Sequence, residues 1–265
     1  MIDAIRKLFR PKPTPPSSAV PVGERIYAVG DIHGRRDLFD VLMEAIERDD
    51  AARGSADTTI ILLGDLVDRG PDSAGVVDSA RILQHRRKVR IIGGNHEEMF
   101  LRCFDKLELM RQFLRFGGRE TILSYPVDPA AFQVCDLEEA QAMMREAVPE
   151  ADLEFIRGFE DSIAIGDYLF VHAGIRPGEP LEAQEPHDLR WIREPFLSHA
   201  GEHEHVVVHG HTITPDPEVL HNRIGIDTGA FMSGRLTALG LEGTERWLIE
   251  TSDDEGTITS TTRPT

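Results

Sequence analysis

The sequence predicts an α/β fold, because short apolar runs alternate with segments whose apolar residues recur at helical spacing. Apolar runs of this length, bounded by polar or turn-forming residues, are typical of buried strands. The strand candidates are residues 25–29, 58–64 and 88–92, and the helical segments that follow them are residues 37–49, 73–86 and 97–116. Strands separated by helices in this way indicate βαβ units with largely parallel pairing.

The pattern changes along the second half of the chain. Residues 97–160 are mainly helical and form a predicted insertion above the sheet. From Ser162 onward strands dominate, and Gly166-Asp167 lies between two apolar runs, which predicts a hairpin turn. Further strand candidates follow at residues 206–210, 223–227, 235–243 and 246–250.

The two ends of the chain differ in composition from the middle. Residues 11–23 hold five prolines, which favours a semi-rigid linker over a packed element. Residues 2–10 could form a short basic helix that contacts a membrane or a partner, but we favour a frayed tail, because isolated helices this short are marginal. We therefore expect a basic tail and linker over 1–23, one folded domain over 24–250 with the helical insertion at 97–160, and a flexible tail over 251–265.

Composition argues against several classes of function. The formal net charge of −17 argues against sequence-independent nucleic-acid binding, which requires many Lys and Arg contacts to phosphates. An anionic ligand would need a local source of positive charge, and bound metal ions supply that compactly. No run approaches the roughly 20 apolar residues of a membrane span. Cys103 and Cys135 do not suggest a disulfide framework, so we expect a cytoplasmic protein without stable membrane insertion.

Polar clusters follow the predicted strands at five points in the chain. In open α/β sheets ligands gather at the carboxyl ends of strands, and all five clusters are expected there. Their glycines allow sharp turns and close approach of the backbone to a ligand. The clusters are GDIHG (30–34), GDLVDRG (64–70), GNHE (94–97), HAG (172–174) and GHT (210–212).

The side chains in these clusters suit a metal centre. Asp, His and Asn offer oxygen and imidazole nitrogen, which favours Mn, Fe or Zn over Ca. Asp31 and His33 are alternate residues leaving a strand, so both can reach one ion, and Asp65 could bridge two ions. Each motif alone is also typical of an ordinary turn or of core hydrogen bonding. Five of them in order favour a pair of metal ions acting on phosphate.

Taken as a series, these motifs resemble the phosphoprotein phosphatase family of metallophosphoesterases, in its bacterial protein phosphatase and diadenosine-tetraphosphatase-like branch. The resemblance covers roughly residues 25–241, and WIRE (191–194) and IDTGA (226–230) support the bacterial branch. It implies a sandwich of two mixed β-sheets flanked by helices. It also implies two divalent cations, with Mn favoured and Fe, Zn or Ni as alternatives. A metal-bridging hydroxide would attack phosphorus in line.

The resemblance assigns a role to each matching residue. Asp31 and His33 would bind the first metal, Asp65 would bridge, and Asn95, His172 and His211 would complete the second site. His96 would be the general acid and Asp68 its carboxylate partner. Arg69, Arg193 and Asn95 would hold phosphate oxygens, with Arg190 a weaker candidate for the second arginine. His209 has no ligand role in the family, and Cys103 and Cys135 have no role in this chemistry.

Two substrate classes stay open at this point, and a non-catalytic binding module is disfavoured because every motif position matches. The expected substrates are phosphorylated proteins or small phosphoesters, including nucleotides. Diadenosine tetraphosphatases usually carry Ala at the position of Asp68, whereas the protein phosphatases keep Asp, so we favour a Ser/Thr-type protein phosphatase with broad phosphomonoesterase activity. Residues 117–126 resemble the diadenosine-tetraphosphatase-like proteins instead, so symmetrical hydrolysis of dinucleoside polyphosphates, or a related nucleotide pyrophosphatase activity, is the alternative.

Overall fold

The computed structural model describes residues 18–265, and these contain two mixed β-sheets packed face to face. The first sheet has the order β11-β10-β9-β1-β2-β3 and the second the order β4-β5-β6-β8-β7. The strands are β1 (Glu24–Val29), β2 (Asp57–Leu62), β3 (Val89–Ile91), β4 (Ser162–Ile165), β5 (Tyr168–Val171), β6 (Val206–His209), β7 (Glu218–Val219), β8 (Arg223–Gly225), β9 (Arg235–Glu242), β10 (Glu245–Asp254) and β11 (Thr257–Pro264). The predicted sandwich of two mixed sheets flanked by helices is confirmed.

Ten α-helices lie within residues 18–265. They are α1 (Arg36–Arg53), α2 (Ser73–Arg86), α3 (Asn95–Asp105), α4 (Leu107–Phe113), α5 (Arg119–Ser124), α6 (Pro129–Val134), α7 (Leu137–Ala147), α8 (Glu150–Arg157), α9 (Pro186–Trp191) and α10 (Ala230–Ser233). A π-helical turn at Leu114–Gly118 joins α4 to α5. Across residues 18–265, no helix combines the length and the apolar character needed to cross a membrane.

Parallel pairing of β1, β2 and β3 brings their carboxyl ends to one edge of the first sheet. In the second sheet β5, β6 and β8 are parallel as well, so their carboxyl ends also share an edge. Apolar side chains such as Ile26, Leu63, Phe170 and Val208 fill the space between the sheets. Helices α1 and α2 cover the outer face of the first sheet and bury residues including Leu42 against it. Six strand ends thus converge on the same side of the molecule.

Helices α3 to α8 occupy the region expected to be helical, residues 97–160, and have an apolar cluster of their own. Phe100, Phe113 and Met144 are buried within it. Val67, from the loop after β2, and Val77 of α2 belong to the same cluster. The insertion is therefore packed onto the loop that carries one of the polar motifs.

The C-terminal residues 251–265 were expected to be flexible, and this expectation was wrong. Strand β10 extends to Asp254, and β11 pairs with it in antiparallel register from Asp254↔Thr257 to Trp247↔Pro264. Glu255 and Gly256 adopt positive φ angles of 51° and 88° and close the hairpin. The β-branched residues of this segment favour a strand although they are polar, because an edge strand needs few apolar side chains.

The expectation for the N-terminal segment was also wrong where the structure describes it. Val20 is buried between the sheets with 3 % of its surface exposed, and its N–H donates to Gly243 O at 3.0 Å. The Ala19 N–H donates to Asp167 at 2.9 Å. Residues 18–20 of the proposed linker are therefore packed, because the apolar side chain of Val20 fills the core, whereas residues 21–23 are exposed. The basic tail and the rest of the linker lie outside the described residues.

Candidate active site

All five polar motifs lie at the strand ends that converge, and three of them, at residues 30–34, 64–70 and 210–212, have an unusual backbone. Six residues other than glycine have positive φ within residues 18–265, and five of them are motif residues. Each such residue costs on the order of 1 kcal/mol unless the surroundings hold it, and strain of this kind concentrates at functional sites. The five are His33 (φ 46°), Asp65 (φ 49°), Asp68 (φ 73°), Arg69 (φ 72°) and His211 (φ 62°).

The buried carboxylate of Glu97 holds two of the loops in place. Its Oε1 accepts hydrogen bonds from the N–H groups of Leu66 (2.7 Å) and Val67 (3.2 Å). Its Oε2 accepts from Asp65 N and Gly94 N, both at 2.9 Å. One side chain thus satisfies four buried backbone donors that would each cost about 1–3 kcal/mol if left unpaired. Glu97 is part of a predicted motif, but the sequence did not assign it this role.

Asp65 lies between two groups of potential metal ligands. His33 and His96 form one group with it, and His172 and His211 form the other, each with ligand atoms within 4.8 Å of one another. The Oδ2 atom of Asp65 lies 3.5 Å from His33 Nε2. Its Oδ1 atom lies 3.4 Å from His172 Nε2. The two carboxylate oxygens therefore face different histidines, so Asp65 is placed where it would contribute to both groups of ligands.

The histidines present unprotonated nitrogens to this centre. His33 Nδ1 and His172 Nδ1 each lie 2.8 Å from a backbone carbonyl, of Val67 and Leu63 respectively. A carbonyl can accept but not donate, so each Nδ1 carries the proton and each Nε2 keeps its lone pair. Burial lowers the pKa of both imidazoles, which keeps them neutral. Neutral imidazoles beside a buried carboxylate form a donor set that fits divalent transition metals.

Asn95 joins the second group of ligands. Its Oδ1 lies 3.0 Å from His172 Nε2 and 2.8 Å from His211 Nδ1. Burial lowers the pKa of His211, and the neighbouring His172 imidazole and Arg193 guanidinium lower it further. Asp31 belongs to neither group of three, and its carboxylate accepts the backbone N–H of His211 at 3.1 and 3.2 Å. The six residues predicted as ligands are thus brought to one centre, with Asp31 at its margin.

His96 and Asp68 form a buried hydrogen-bonded pair. His96 Nδ1 lies 2.6 Å from Asp68 Oδ2, and the two residues are 2 % and 0 % exposed. Burial raises the pKa of Asp68 to about 8 and lowers the pKa of His96. His96 Nε2 faces the centre, 3.9 Å from Asp65 Oδ2. That nitrogen accepts from the Arg69 guanidinium at 2.9 Å, so it can deliver a proton to a bound group only once Arg69 has moved away and Nε2 is protonated; its position also permits metal ligation.

The insertion supports this pair through Thr121, which the sequence did not single out. The Thr121 hydroxyl donates to Asp68 Oδ1 at 2.6 Å and accepts the backbone N–H of Asp68 at 2.8 Å. The Gly117 carbonyl accepts the Arg69 N–H at 3.0 Å. Gly117 has φ +104°, and a Cβ there would lie 2.6 Å from Arg69 N. Residues 117–121 of the insertion therefore hold the Asp68-Arg69 segment in place. This contact joins positions too far apart in sequence to be predicted.

The three arginines have different surroundings. Arg69 donates to His33 Nε2 and His96 Nε2, both at 2.9 Å, and its guanidinium lies 4.7 Å above the ring of Phe231. Because a ligating nitrogen needs its lone pair, this guanidinium must leave His33 when a cation binds. Arg193 is exposed, and its positive charge acts on His211. Arg190 forms an ion pair with Asp161 at 2.5 Å. Arg190 is therefore less available than Arg193 to bind a phosphate.

His209 lies outside the group of ligands. Its Nδ1 lies 3.0 Å from Gly210 O, and its ring packs edge-on against Phe196 with centroids 5.1 Å apart. The loop after β8, residues 226–229, also reaches the centre, and it carries Asp227 with 2 % of its surface exposed. The sequence marked this segment only as part of a supporting motif. An acidic residue directly after a strand was the available signal.

Sequence comparison places these features among known phosphoesterases. The chain is 26 % identical over 247 residues to Bis(5'-nucleosyl)-tetraphosphatase PrpE [asymmetrical] of Bacillus velezensis, covering 84 % of this chain and 92 % of that protein. It is 28 % identical over 182 residues to the symmetrical Bis(5'-nucleosyl)-tetraphosphatase of Acidovorax sp. strain JS42, covering 69 % of this chain and 51 % of that protein.

Solved structures share the fold. A provisionally assigned diadenosine tetraphosphatase matches with a TM-score of 0.60 at 23 % identity, covering 93 % of this chain and 98 % of that one. A cold-active protein-tyrosine phosphatase of a Shewanella species matches with a TM-score of 0.59 at 18 % identity, covering 92 % and 82 %. The Calcineurin-like phosphoesterase family profile matches residues 24–247. With this match over most of its length, the chain belongs to the calcineurin-like phosphoesterase family and is a hydrolase of phosphoesters.

Proposed function

We propose that this enzyme hydrolyses phosphomonoesters with two bound divalent cations, preferably Mn, and acts on Ser/Thr-phosphorylated proteins and on small esters. The observation that carries this proposal is the His96–Asp68 pair, with its 2.6 Å hydrogen bond in a buried setting. A serine or threonine alkoxide is a poor leaving group and needs a proton as it departs. When a phosphoanhydride is cleaved, the leaving group is a nucleoside phosphate, which is already a stabilised anion. It therefore depends less on protonation by a general acid.

The roles of the residues follow from their positions. Asp31, His33 and Asp65 would hold one cation, and Asp65, Asn95, His172 and His211 the other. When bound, the cations supply positive charge for the phosphoryl oxygens and activate the attacking water. Arg69 and Arg193, with Asn95, would orient the phosphate, since planar guanidinium groups suit its oxygens. Asp68 would keep the His96 ring oriented so that Nε2 protonates the leaving oxygen.

A second candidate function is hydrolysis of dinucleoside polyphosphates. Two observations favour it: the names of the bacterial relatives, and segment 117–126, whose sequence resembles the diadenosine-tetraphosphatase-like proteins. Both candidates use the same cations and phosphate contacts. They differ in the leaving group, and hence in how strongly the rate depends on proton donation.

Turnover of three substrates with added manganese tests the proposal. We expect kcat/KM for a phosphoserine peptide and for p-nitrophenyl phosphate to exceed kcat/KM for diadenosine tetraphosphate. A preference for the dinucleotide by orders of magnitude would establish the second candidate instead. Elemental analysis should find two metals per fully active chain, and fewer would defeat the two-cation scheme.

His96→Asn separates proton donation from metal ligation. We expect the variant to keep both metals and to lose about 10²–10⁴-fold in kcat on the phosphopeptide, the usual contribution of a general acid. Loss of one metal equivalent in this variant would instead make His96 a ligand.

A further inference from the structure

The loop after β8 is built against the strand end that carries Asp31. A Cβ added to Gly30 would lie 2.6 Å from Ile226 O and 3.6 Å from Asp227 Cα, so the two backbones touch. The loop is fixed from both sides, because Ile226 N donates to His209 O and Thr214 N donates to Asp227 O, each at 3.0 Å. Asp227 is therefore held in place by neighbours that belong to the active-site loops.

The side chain of Asp227 is only half satisfied by these neighbours. Its Oδ1 accepts the Gly229 N–H at 2.9 Å. Its Oδ2 is buried and has no hydrogen-bond partner among residues 18–265. The Asp31 carboxylate lies near enough that the charge of Asp227 raises its pKa, after the larger effect of burial, and two carboxylates cannot satisfy each other without a proton or a cation. Burying a carboxylate oxygen without a donor is unfavourable, so this oxygen requires a partner.

The cationic side chains nearby do not supply that partner. Burial raises the pKa of Asp227, while the charges of Arg69 and Arg193 lower it, so both guanidinium groups act on Asp227 from some distance. Neither forms an ion pair with it within the described part of the chain. Arg69 is bonded to His33 and His96 instead. Asp227 is therefore a third buried carboxylate beside the metal centre, after Asp31 and Asp65. Its Oδ2 forms no ion pair with a cationic side chain of the described residues.

We infer that Asp227 is a further protein group of the cation site formed by Asp31, His33 and Asp65, with its free Oδ2 as the contact atom. This inference rests on the proposed function, because it needs a cation at that position. A third carboxylate makes this site richer in oxygen and more negative than the site that contains Asn95, His172 and His211. Oxygen-rich sites suit Mn²⁺ better than Zn²⁺, so Asp227 favours manganese in the first position.

The test is manganese binding by the full chain carrying Asp227→Asn, measured by calorimetry and by Mn²⁺ electron paramagnetic resonance. The amide oxygen of Asn can still accept the Gly229 N–H, so the change removes charge and little else. We expect two Mn²⁺ per wild-type chain. In the variant we expect one Mn²⁺ to bind with the wild-type affinity and the affinity for the other to fall at least tenfold. Asp216→Asn, at a carboxylate whose side chain is 78 % exposed, is the matched control and should bind as the wild type does.

Thermal unfolding separates a metal role from a merely structural one. Without metal, Asp227→Asn should be as stable as the wild type or more stable, since repulsion between carboxylates is relieved, and its gain in Tm on adding Mn²⁺ should be smaller. A lower Tm without metal combined with unchanged Mn²⁺ affinity would overturn the inference. If the amide prevents folding, Asp227→Ser gives the same comparison with a smaller side chain.

The failure of this inference differs from the failure of the proposed function. A wild-type chain that binds fewer than two Mn²⁺ and does not hydrolyse phosphoesters would defeat the proposed function. A wild-type chain that binds two and is active, alongside an Asp227→Asn chain that binds both with wild-type affinity, would refute only the role of Asp227.

Discussion

Thr121→Val should impair proton donation without touching substrate or metal. The change keeps the side-chain shape and removes the hydroxyl that donates to Asp68 Oδ1 at 2.6 Å. A hydrogen bond to a buried carboxyl group contributes about 0.5–1.5 kcal/mol when the acceptor is neutral and about 1.5–3 kcal/mol when it is charged. Part of this loss should lower the free energy of unfolding. The rest should loosen the positions of the Asp68 and His96 side chains. Every 1.36 kcal/mol lost in the transition state lowers the rate about tenfold.

The expected rate loss depends on the leaving group. For glycerol 2-phosphate, whose alkoxide must be protonated as it leaves, we expect kcat to fall about tenfold to a hundredfold, within the range of general acid catalysis. For p-nitrophenyl phosphate, which leaves as a stabilised phenolate, we expect less than about a threefold change. The assay is steady-state hydrolysis of both esters under saturating manganese, with kcat and KM reported separately.

Thr121→Ser is the control, because it restores the hydroxyl and should recover most of the kcat on both esters. The reasoning would be refuted by an equal loss on the two esters, or by a loss confined to KM. Either result would mean that Thr121 supports the loop in general and not the proton-donating pair.

Three further predictions concern groups outside the proton-donating pair. Replacing Cys103 and Cys135 with Ser should leave turnover nearly intact, because burial raises the pKa of Cys103 to about 12 and no thiolate forms at neutral pH. Gly117→Ala should raise KM at least tenfold, since the added Cβ would displace Arg69 N, 2.6 Å away. Although burial acts in the opposite direction, Arg263 and Arg235 hold the pKa of Glu250 below its usual value. Glu250→Gln should therefore lower Tm by about 2–4 °C at pH 7, for a loss of about 1 kcal/mol. This effect should vanish as the pH falls below ~4 and the wild-type carboxyl takes up its proton.

Controls for these variants are available in the same chain. Gly178→Ala tests alanine at another positive φ, +81°, where nothing lies within 4 Å of the added Cβ, and it should leave KM unchanged. A collapse in rate of the double Ser variant would mean that a thiol takes part in turnover. An unchanged KM in Gly117→Ala would show that Arg69 tolerates the shift, and a Tm loss in Glu250→Gln that persists at pH 3 would exclude charge as its cause.

The parts of the site that could be predicted from sequence are those in which metal-binding side chains directly follow a recognisable strand. Asp31 and His33 follow a strand directly, so strand periodicity alone brings them to the sheet edge. Thr121 could not be found this way, because its partner Asp68 is 53 residues distant and the contact depends on how the insertion packs. The fold was predictable to the level of strands and helices. The C-terminal β11 was missed because its polar, β-branched residues resemble a tail in composition, and only its pairing with β10 distinguishes them.

The helical insertion has a consequence for how this enzyme could diverge. Its Gly117 carbonyl and its Thr121 hydroxyl hold the backbone of the segment that carries Asp68 and Arg69. A change that reshapes the insertion around residues 117–121 would also disturb the His96–Asp68 pair and Arg69. Changes to the insertion that leave this segment undisturbed are therefore confined to residues away from positions 117–121.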